Sequence, residues 1–174
     1  MKKAALFLDR DGIVNVDRSY VFRFADIVWV DGIVELIEFA KSAGLLVIVL
    51  TNQSGVAQGK YLEADVIKLH QEMNEYLKDK NALVDAWFYC TEYDSERRKP
   101  RPGMMIEARD LYAIDLEKSF MVGDKVSDIL EVTGPKTLLL QGNYPLDEAI
   151  AHNKAEVFTS LLAIHNRLKE LLKS

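Results

Sequence analysis

Cysteine is nearly absent from this sequence. Cys90 stands alone among 174 residues, so neither an intrachain disulfide nor a multi-cysteine metal cage can form. That favours a reducing compartment. A basic excess is missing too: 22 Lys and Arg against 27 Asp and Glu give a formal charge of −5. A broad cationic surface for nucleic acid is therefore not expected, although a few local cations can still dominate a pocket for a small anion. Long apolar runs are also lacking. The opening MKKAALFLDRDG begins as a signal peptide would, but its apolar stretch stops at Asp9, too early for an h-region. No later run approaches membrane-spanning length. The expectation is a cytoplasmic protein with no membrane partner. Repeats, low-complexity tracts and long linkers are missing as well, and the length suits a single domain over residues 1–174. The histidines, His70, His152 and His165, have no companions at metal-ligand spacing and read as structural or surface residues.

What is present is an alternation. AALFL (Ala4 to Leu8), LLVIVL (Leu45 to Leu50), AWFYC (Ala86 to Cys90), SFMV (Ser119 to Val122) and TLLL (Thr137 to Leu140) read as strands. They lack period-2 patterning, which suits strands covered on both faces. Between them lie helical stripes: Val34, Ile37 and Ala40 to Lys41, stopped by Gly44; Val66, Leu69, Met73, Tyr76 and Leu77; and Leu161, Ile164, Leu168, Leu171 and Leu172. Trp29, Trp87 and Phe88 most simply fill the core. Strand–helix alternation predicts an α/β fold, a Rossmann-like doubly wound parallel sheet in three α/β/α layers, with no room for an inserted cap domain.

Three strands end in polar residues. The first gives Asp9 and Asp11, the second gives TNQSG (Thr51 to Gly55), and a later one gives GDKVSD (Gly123 to Asp128). Ligands bind at the carboxyl edge of an open parallel sheet, so Asp9, Asp11, Thr51 and Asp124 are expected to converge there. RRKPRPG (Arg97 to Gly103) can bring Arg98 and Lys99 to the same edge. Each stretch has a plainer reading: Asp-Gly is a common turn former, basic runs are usually solvated faces, and Asp128 can favour a helix N-terminus. Their combination favours chemistry. Crowded carboxylates need a cation, and an all-oxygen set selects Mg²⁺. With Lys99, such a site would stabilise a transferring phosphoryl group. Asp9 is then the candidate nucleophile and Asp11 the proton shuttle.

FLDRDG, VLTNQSG, RKPRPGM and MVGDKVSD together resemble the four motifs of the haloacid dehalogenase (HAD) superfamily of phosphotransferases. LDRDGIVNVDRSYV, TNQSGVAQGKYLEAD and SFMVGDKVSD are similar to the histidinol-phosphatase-type subfamily, and within it to the heptose bisphosphate 7-phosphatases. The resemblance implies a Mg²⁺-dependent phosphatase acting on a small phosphorylated sugar through an aspartyl-phosphate. It implies Asp9 as nucleophile and Asp11 as acid/base. Mg²⁺ would be held by Asp9, Asp124 and the backbone carbonyl of Asp11, and the phosphoryl group by Thr51 and Lys99. Substrate contacts carried over in the same way are Asp17, Arg18, Ser19, Tyr20, Asn52, Gln53, Ser54, Arg98 and Lys125. Asp128 is expected to orient Lys125 or a metal-bound water, and Arg97 and Arg101 to lie on the surface.

Two departures stand out. The family commonly carries a zinc loop, but CTEYDSERRKP keeps only Cys90 and has Glu92 where a histidine is expected, so no zinc is expected. SDILEVTGPKTLLL is short after the fourth motif, which predicts a truncated helix. A histidinol-phosphate phosphatase or another small sugar-phosphate phosphatase is the alternative enzyme, and a receiver-like phosphoacceptor domain the alternative outside enzymes. A monomer is expected.

Overall fold

The computed structural model describes residues 2–152 and 154–173. Six strands, β1 (Ala5–Leu8), β2 (Leu46–Asn52), β3 (Ala86–Cys90), β4 (Phe120–Gly123), β5 (Lys136–Leu140) and β6 (Glu156–Phe158), pair in the order β3-β2-β1-β4-β5-β6. Every pairing is parallel. The helices are α1 (Ile33–Ser42), α2 (Glu63–Lys78), α3 (Gly103–Tyr112), α4 (Asp147–Ala151) and α5 (Leu161–Leu171).

The missing alternation in the strands has its cause in the layers. Leu6 and Leu8 of β1, with Val47 and Val49 of β2, pack against α1, α2 and α5. Ala5, Phe7, Ile48 and Leu50 point to the other face, where Met104, Met105 and Ala108 of α3 cover them. Both faces are dry, so both registers are apolar. Truncating one of these fully buried leucines to alanine costs about 2–5 kcal/mol in typical cores. This is the three-layer α/β/α arrangement expected from the sequence.

The details differ in instructive ways. β2 runs on through Thr51 and Asn52, so the TNQSG stretch begins inside the sheet. Ser119 precedes β4, and its hydroxyl accepts from the Ala5 amide at 3.0 Å and donates to the Asp115 carbonyl at 2.6 Å. β6 was not expected: three residues, one of them Glu156, carry too little pattern. α3 was not expected either, because the basic run before it drew the reading toward a loop. The α1 stripe is rotated by one position, burying Ile33, Leu36, Ile37 and Ala40 while Val34 stays at the margin. Lys41 instead pairs with Asp85 at 2.6 Å. Leu171 and Leu172 are only partly covered. Trp29 and Trp87 are half-buried at the core's edge, Trp29 stacked on Tyr76 and Trp87 on His70. Between β4 and β5 the chain makes only the one-turn 3-10 helix Val126–Asp128, in keeping with the shortened segment. Among the described residues no helix is long and apolar enough to cross a membrane.

Candidate active site at the carboxyl edge of the sheet

β1 lies between β2 and β4. From β1 the chain builds outward through β2 and β3, then crosses to the other side for β4. Strand order therefore reverses at β1, and a crevice opens at its carboxyl end. The parallel register sets Leu8 beside both Val49 and Val122, so the next residues outward come from neighbouring positions on three strands. The Asp9 amide still donates to the Val122 carbonyl at 2.9 Å, which fixes where its side chain leaves the sheet.

One carboxylate oxygen from each of Asp9, Asp124 and Asp128 lies within 4.8 Å of the others, and all three residues are buried. Lys99 reaches into this cluster, its Nζ 2.8 Å from Asp9 Oδ1 and 2.6 Å from Asp128 Oδ1. Three acids facing one lysine leave an excess of buried negative charge. Burial first, and then the Asp128 charge, push the Asp9 carboxyl up to about 6, against the pull of Lys99 and Lys125. Burial, then the Asp9 charge, push Asp124 up to about 8. Burial alone would pull Lys99 down, but Asp128 and Asp9 outweigh it and hold the ammonium above its ordinary value.

The acids are not equivalent. Asp128 is saturated: Oδ1 accepts from Lys99, and Oδ2 accepts from the backbone amides of Asp124 and Lys125 at 3.0 and 3.1 Å. It thus holds Lys99 and the β4 exit rather than the Lys125 ammonium. Asp124 Oδ1, by contrast, is buried with no hydrogen-bond partner. Gly12 leaves room for this carboxylate, since a Cβ there would fall 2.2 Å from Asp124 Oδ2. An orphaned buried carboxylate oxygen beside Asp9 fits a small hard dication such as Mg²⁺, an ion bound by few carboxylates.

Asp11 is gripped from several sides. Arg10, fully buried, donates to Asp11 Oδ2 at 2.9 Å and to Oδ1 at 3.0 and 3.2 Å. Asn15 Nδ2 adds a bond to Oδ1 and Gln53 Nε2 one to Oδ2, each 3.0 Å. Arg10 is itself seated by the Val21 carbonyl at 2.8 Å and by His70 Nε2 at 3.3 Å. An arginine only donates, so Nε2 must be the unprotonated nitrogen. Burial and the Arg10 charge accordingly lower His70 to about 3. His70 is structural, as its lack of a ligand-spaced partner implied.

Asp9, Asp11, Thr51, Asn52, Lys99, Lys125 and Ser127 enclose a recess of about 40 Å³. It shares Asp11, Asn52 and Lys125 with a wider cleft of about 220 Å³, whose walls also include Asp17, Ser19, Tyr20, Gln53, Ser54 and Tyr144. Lys125 bridges the two, 3.2 Å from Asp17 Oδ2 and 3.9 Å from Asp124 Oδ1.

Most of the residues marked in the sequence therefore meet here, but not all in the expected manner. The Asn52 side chain is occupied: Oδ1 accepts from the Lys99 amide at 3.0 Å and Nδ2 donates to the Lys99 carbonyl at 3.1 Å. Arg18 is exposed and lines neither recess nor cleft. Arg98 lies over the Tyr93 ring at 5.0 Å and lines neither recess nor cleft. Arg97 pairs with Glu107 and Arg101 with Asp94, both at 2.9 Å. Residues that the sequence did not mark include Arg10, Asn15, Tyr61, Ser127 and Tyr144. Arg10 had a signal, sitting between two acids. Tyr144, distant in sequence from every motif, had none.

The sheet order thus sets the acids at its switch point, where open α/β sheets bind ligands. Residues 7–159 match the family model described as polynucleotide kinase 3 phosphatase. A D-glycero-beta-D-manno-heptose-1,7-bisphosphate 7-phosphatase from Salmonella typhi is 36% identical, with 97% of each chain covered. A D-glycero-alpha-D-manno-heptose-1,7-bisphosphate 7-phosphatase from Campylobacter jejuni is 38% identical over 74% of this chain and 76% of its own. The crystal structure of D,D-heptose 1,7-bisphosphate phosphatase from B. bronchiseptica, complexed with magnesium and phosphate, superposes with a TM-score of 0.83. That pair is 30% identical, covering 98% of this chain and 99% of the other. The chain belongs to the family of HAD-like phosphatases that these heptose bisphosphate phosphatases represent.

Proposed function

We propose that the protein is a Mg²⁺-dependent phosphomonoesterase that removes the C7 phosphate of D-glycero-D-manno-heptose 1,7-bisphosphate, in the cytoplasm, as a step toward ADP-heptose and lipopolysaccharide core precursors. The observation that carries the reading is the buried cluster of Asp9, Asp124 and Lys99, of which Asp9 and Lys99 line the recess with Asp11 and Thr51. The relatives supply the substrate class, and a relative crystallised with magnesium and phosphate supports the cation.

Asp9, with Oδ1 tied to Lys99 and to the Arg10 amide, is the nucleophile. A bond forms from its carboxylate to phosphorus, the bond from phosphorus to the sugar oxygen breaks, and Asp11 gives that oxygen a proton. Water then attacks phosphorus with Asp11 taking its proton, and Asp9 is released. Thr51 and Lys99 hold the phosphoryl oxygens through both steps. Mg²⁺, held by Asp9, Asp124 and the Asp11 carbonyl, would neutralise the crowded acids and polarise the phosphoryl group. Asp128 acts through Lys99. The wider cleft, with Asp17, Ser19, Tyr20, Ser54 and Lys125, receives the sugar; Lys125 is the cation placed for its second phosphate. Arg98 and Arg18 join only if their loops move toward a bound substrate. With a single cysteine the closed multi-cysteine zinc site cannot form, and Mg²⁺ is the cation of this reading.

Initial rates on heptose bisphosphate, histidinol phosphate and a 3′-phosphorylated oligonucleotide, with Mg²⁺ and with chelator, test the reading. Fastest turnover on the heptose, abolished by chelator and restored by Mg²⁺ alone, is expected. Faster release from histidinol phosphate would make the protein the alternative enzyme. One stable phosphorylation without turnover would make it a receiver-like phosphoacceptor.

A further inference from the structure

Gln53 looks at first like a substrate contact, since it lines the sugar cleft. Its side chain is nevertheless 2% exposed and fully engaged. Nε2 donates to Asp11 Oδ2 at 3.0 Å and to Thr51 Oγ1 at 2.9 Å. Oε1 accepts from the Tyr61 hydroxyl at 2.7 Å. Asp11 Oδ2 also accepts from Arg10 at 2.9 Å, so it is the amide nitrogen that faces this oxygen. The oxygen is then left pointing inward, and the Tyr61 hydroxyl is the donor that satisfies it. Both demands fix one orientation of the same amide.

Tyr61 has little freedom to do otherwise. It is 6% exposed. Its ring sits on Gly55, where a Cβ would fall 2.2 Å from Tyr61 Cε1, and stacks on Phe22 with centroids 5.2 Å apart. The other donors to Asp11 are Arg10 and Asn15, from the β1 turn itself. Gln53 alone among the donors found to Asp11 comes from the β2 side, and it alone also touches Thr51. It ties the proposed proton donor to the proposed phosphoryl contact across two strands.

We infer that Gln53, locked by Tyr61, is a positioning residue that aims Asp11 at the leaving oxygen and keeps Thr51 in register with it, and that it does not bind the sugar. The inference rests on the reading of Asp11 as acid/base. Without the lock the Asp11 carboxylate swings within its remaining bonds, and small misplacements of a catalytic group are costly.

The test uses substrates without a sugar. For wild type, Asp11→Asn, Gln53→Met and Tyr61→Phe, kcat/KM is measured on phenyl phosphate and p-nitrophenyl phosphate with Mg²⁺, alongside Tm. A poor leaving group depends on protonation, whereas nitrophenolate leaves without it. Gln53→Met should lose at least about tenfold more on phenyl than on p-nitrophenyl phosphate, and Tyr61→Phe about fivefold more. Asp11→Asn should show the largest such difference. If Asp11→Asn is selective but Gln53→Met and Tyr61→Phe lose equally on both substrates, Gln53 merely packs and the inference falls. An unchanged ratio with KM raised only on the heptose substrate would make Gln53 a sugar contact and also overturn it. If Asp11→Asn itself shows no selectivity, the acid/base reading fails and takes the inference with it. Should Gln53→Met not fold, Tyr61→Phe alone decides.

Discussion

Asp128→Asn is a severe test of how the site is assembled, because it changes almost no volume. The aspartate is fully buried and uses both oxygens: one for the Lys99 ammonium at 2.6 Å, one for the amides of Asp124 and Lys125. An asparagine has one acceptor oxygen and an NH₂ group. Turned one way, its NH₂ meets the Lys99 ammonium; turned the other, it meets two backbone N–H groups. Either way a buried donor loses its acceptor. The lysine also loses half of its compensating charge, leaving Asp9 as its remaining partner. Removing one partner from a buried ion pair typically costs about 3–5 kcal/mol. No cavity forms, so nothing further is added. For a chain of this size each kcal/mol moves Tm by about 2–4 °C, which puts the expected fall at roughly 6–20 °C. Turnover should fall as well, because Lys99 is drawn more tightly onto the nucleophile. Thermal unfolding followed by circular dichroism, and Mg²⁺-dependent phosphate release, read the two effects. A drop in Tm below about 2 °C with unchanged turnover would refute the assignment of Asp128 as the anchor of Lys99.

Other expectations follow from single contacts. His70 is held near 3, against 6.5 when free, so at about pH 5 the unfolded chain binds a proton that the folded one refuses. Stability is therefore lost as pH falls below 6.5, by about 2 kcal/mol at pH 5 from this residue. His70→Gln should flatten the acid limb of urea midpoints by that amount, and parallel limbs would contradict it. Asn52→Asp keeps the acceptor for the Lys99 amide but sets an oxygen against the Lys99 carbonyl. Its kcat should fall at least about tenfold with Mg²⁺ affinity retained, which titration calorimetry would check. Tyr144→Phe removes a 2.7 Å bond to Asp17 Oδ2 and leaves the ring beside Lys125. About a fivefold rise in KM for the heptose substrate at near-constant kcat is expected; a fall in kcat at constant KM would move Tyr144 into the chemistry.

What the sequence disclosed and what it hid follow physical lines. A parallel sheet writes its strands as apolar runs, so five of the six could be read. The three-residue β6, kept in place by neighbours rather than by its own pattern, could not. Asp9, Thr51 and Asp124 were readable because they lie at or next to the carboxyl ends of strands, and those ends share one edge in this architecture. The partner choices were not readable. Asn52 and Gln53 carry generic amides, and nothing in TNQSG shows that one clamps the Lys99 backbone and the other clamps Asp11. Those are tertiary facts, set by a lysine 47 residues away and an aspartate 42 residues away. Tyr144 enters the cleft only because β5 lies next to β4 in the sheet.

The account stands most directly on where phosphorus goes. Enzyme mixed with heptose bisphosphate ³²P-labelled at C7 and acid-quenched within a turnover should carry label on the tryptic peptide Ala4–Arg10, which holds Asp9 as its only acid. The same label should be absent from Asp9→Asn. Turnover without label on that peptide in the wild type, or undiminished label in Asp9→Asn, would contradict it.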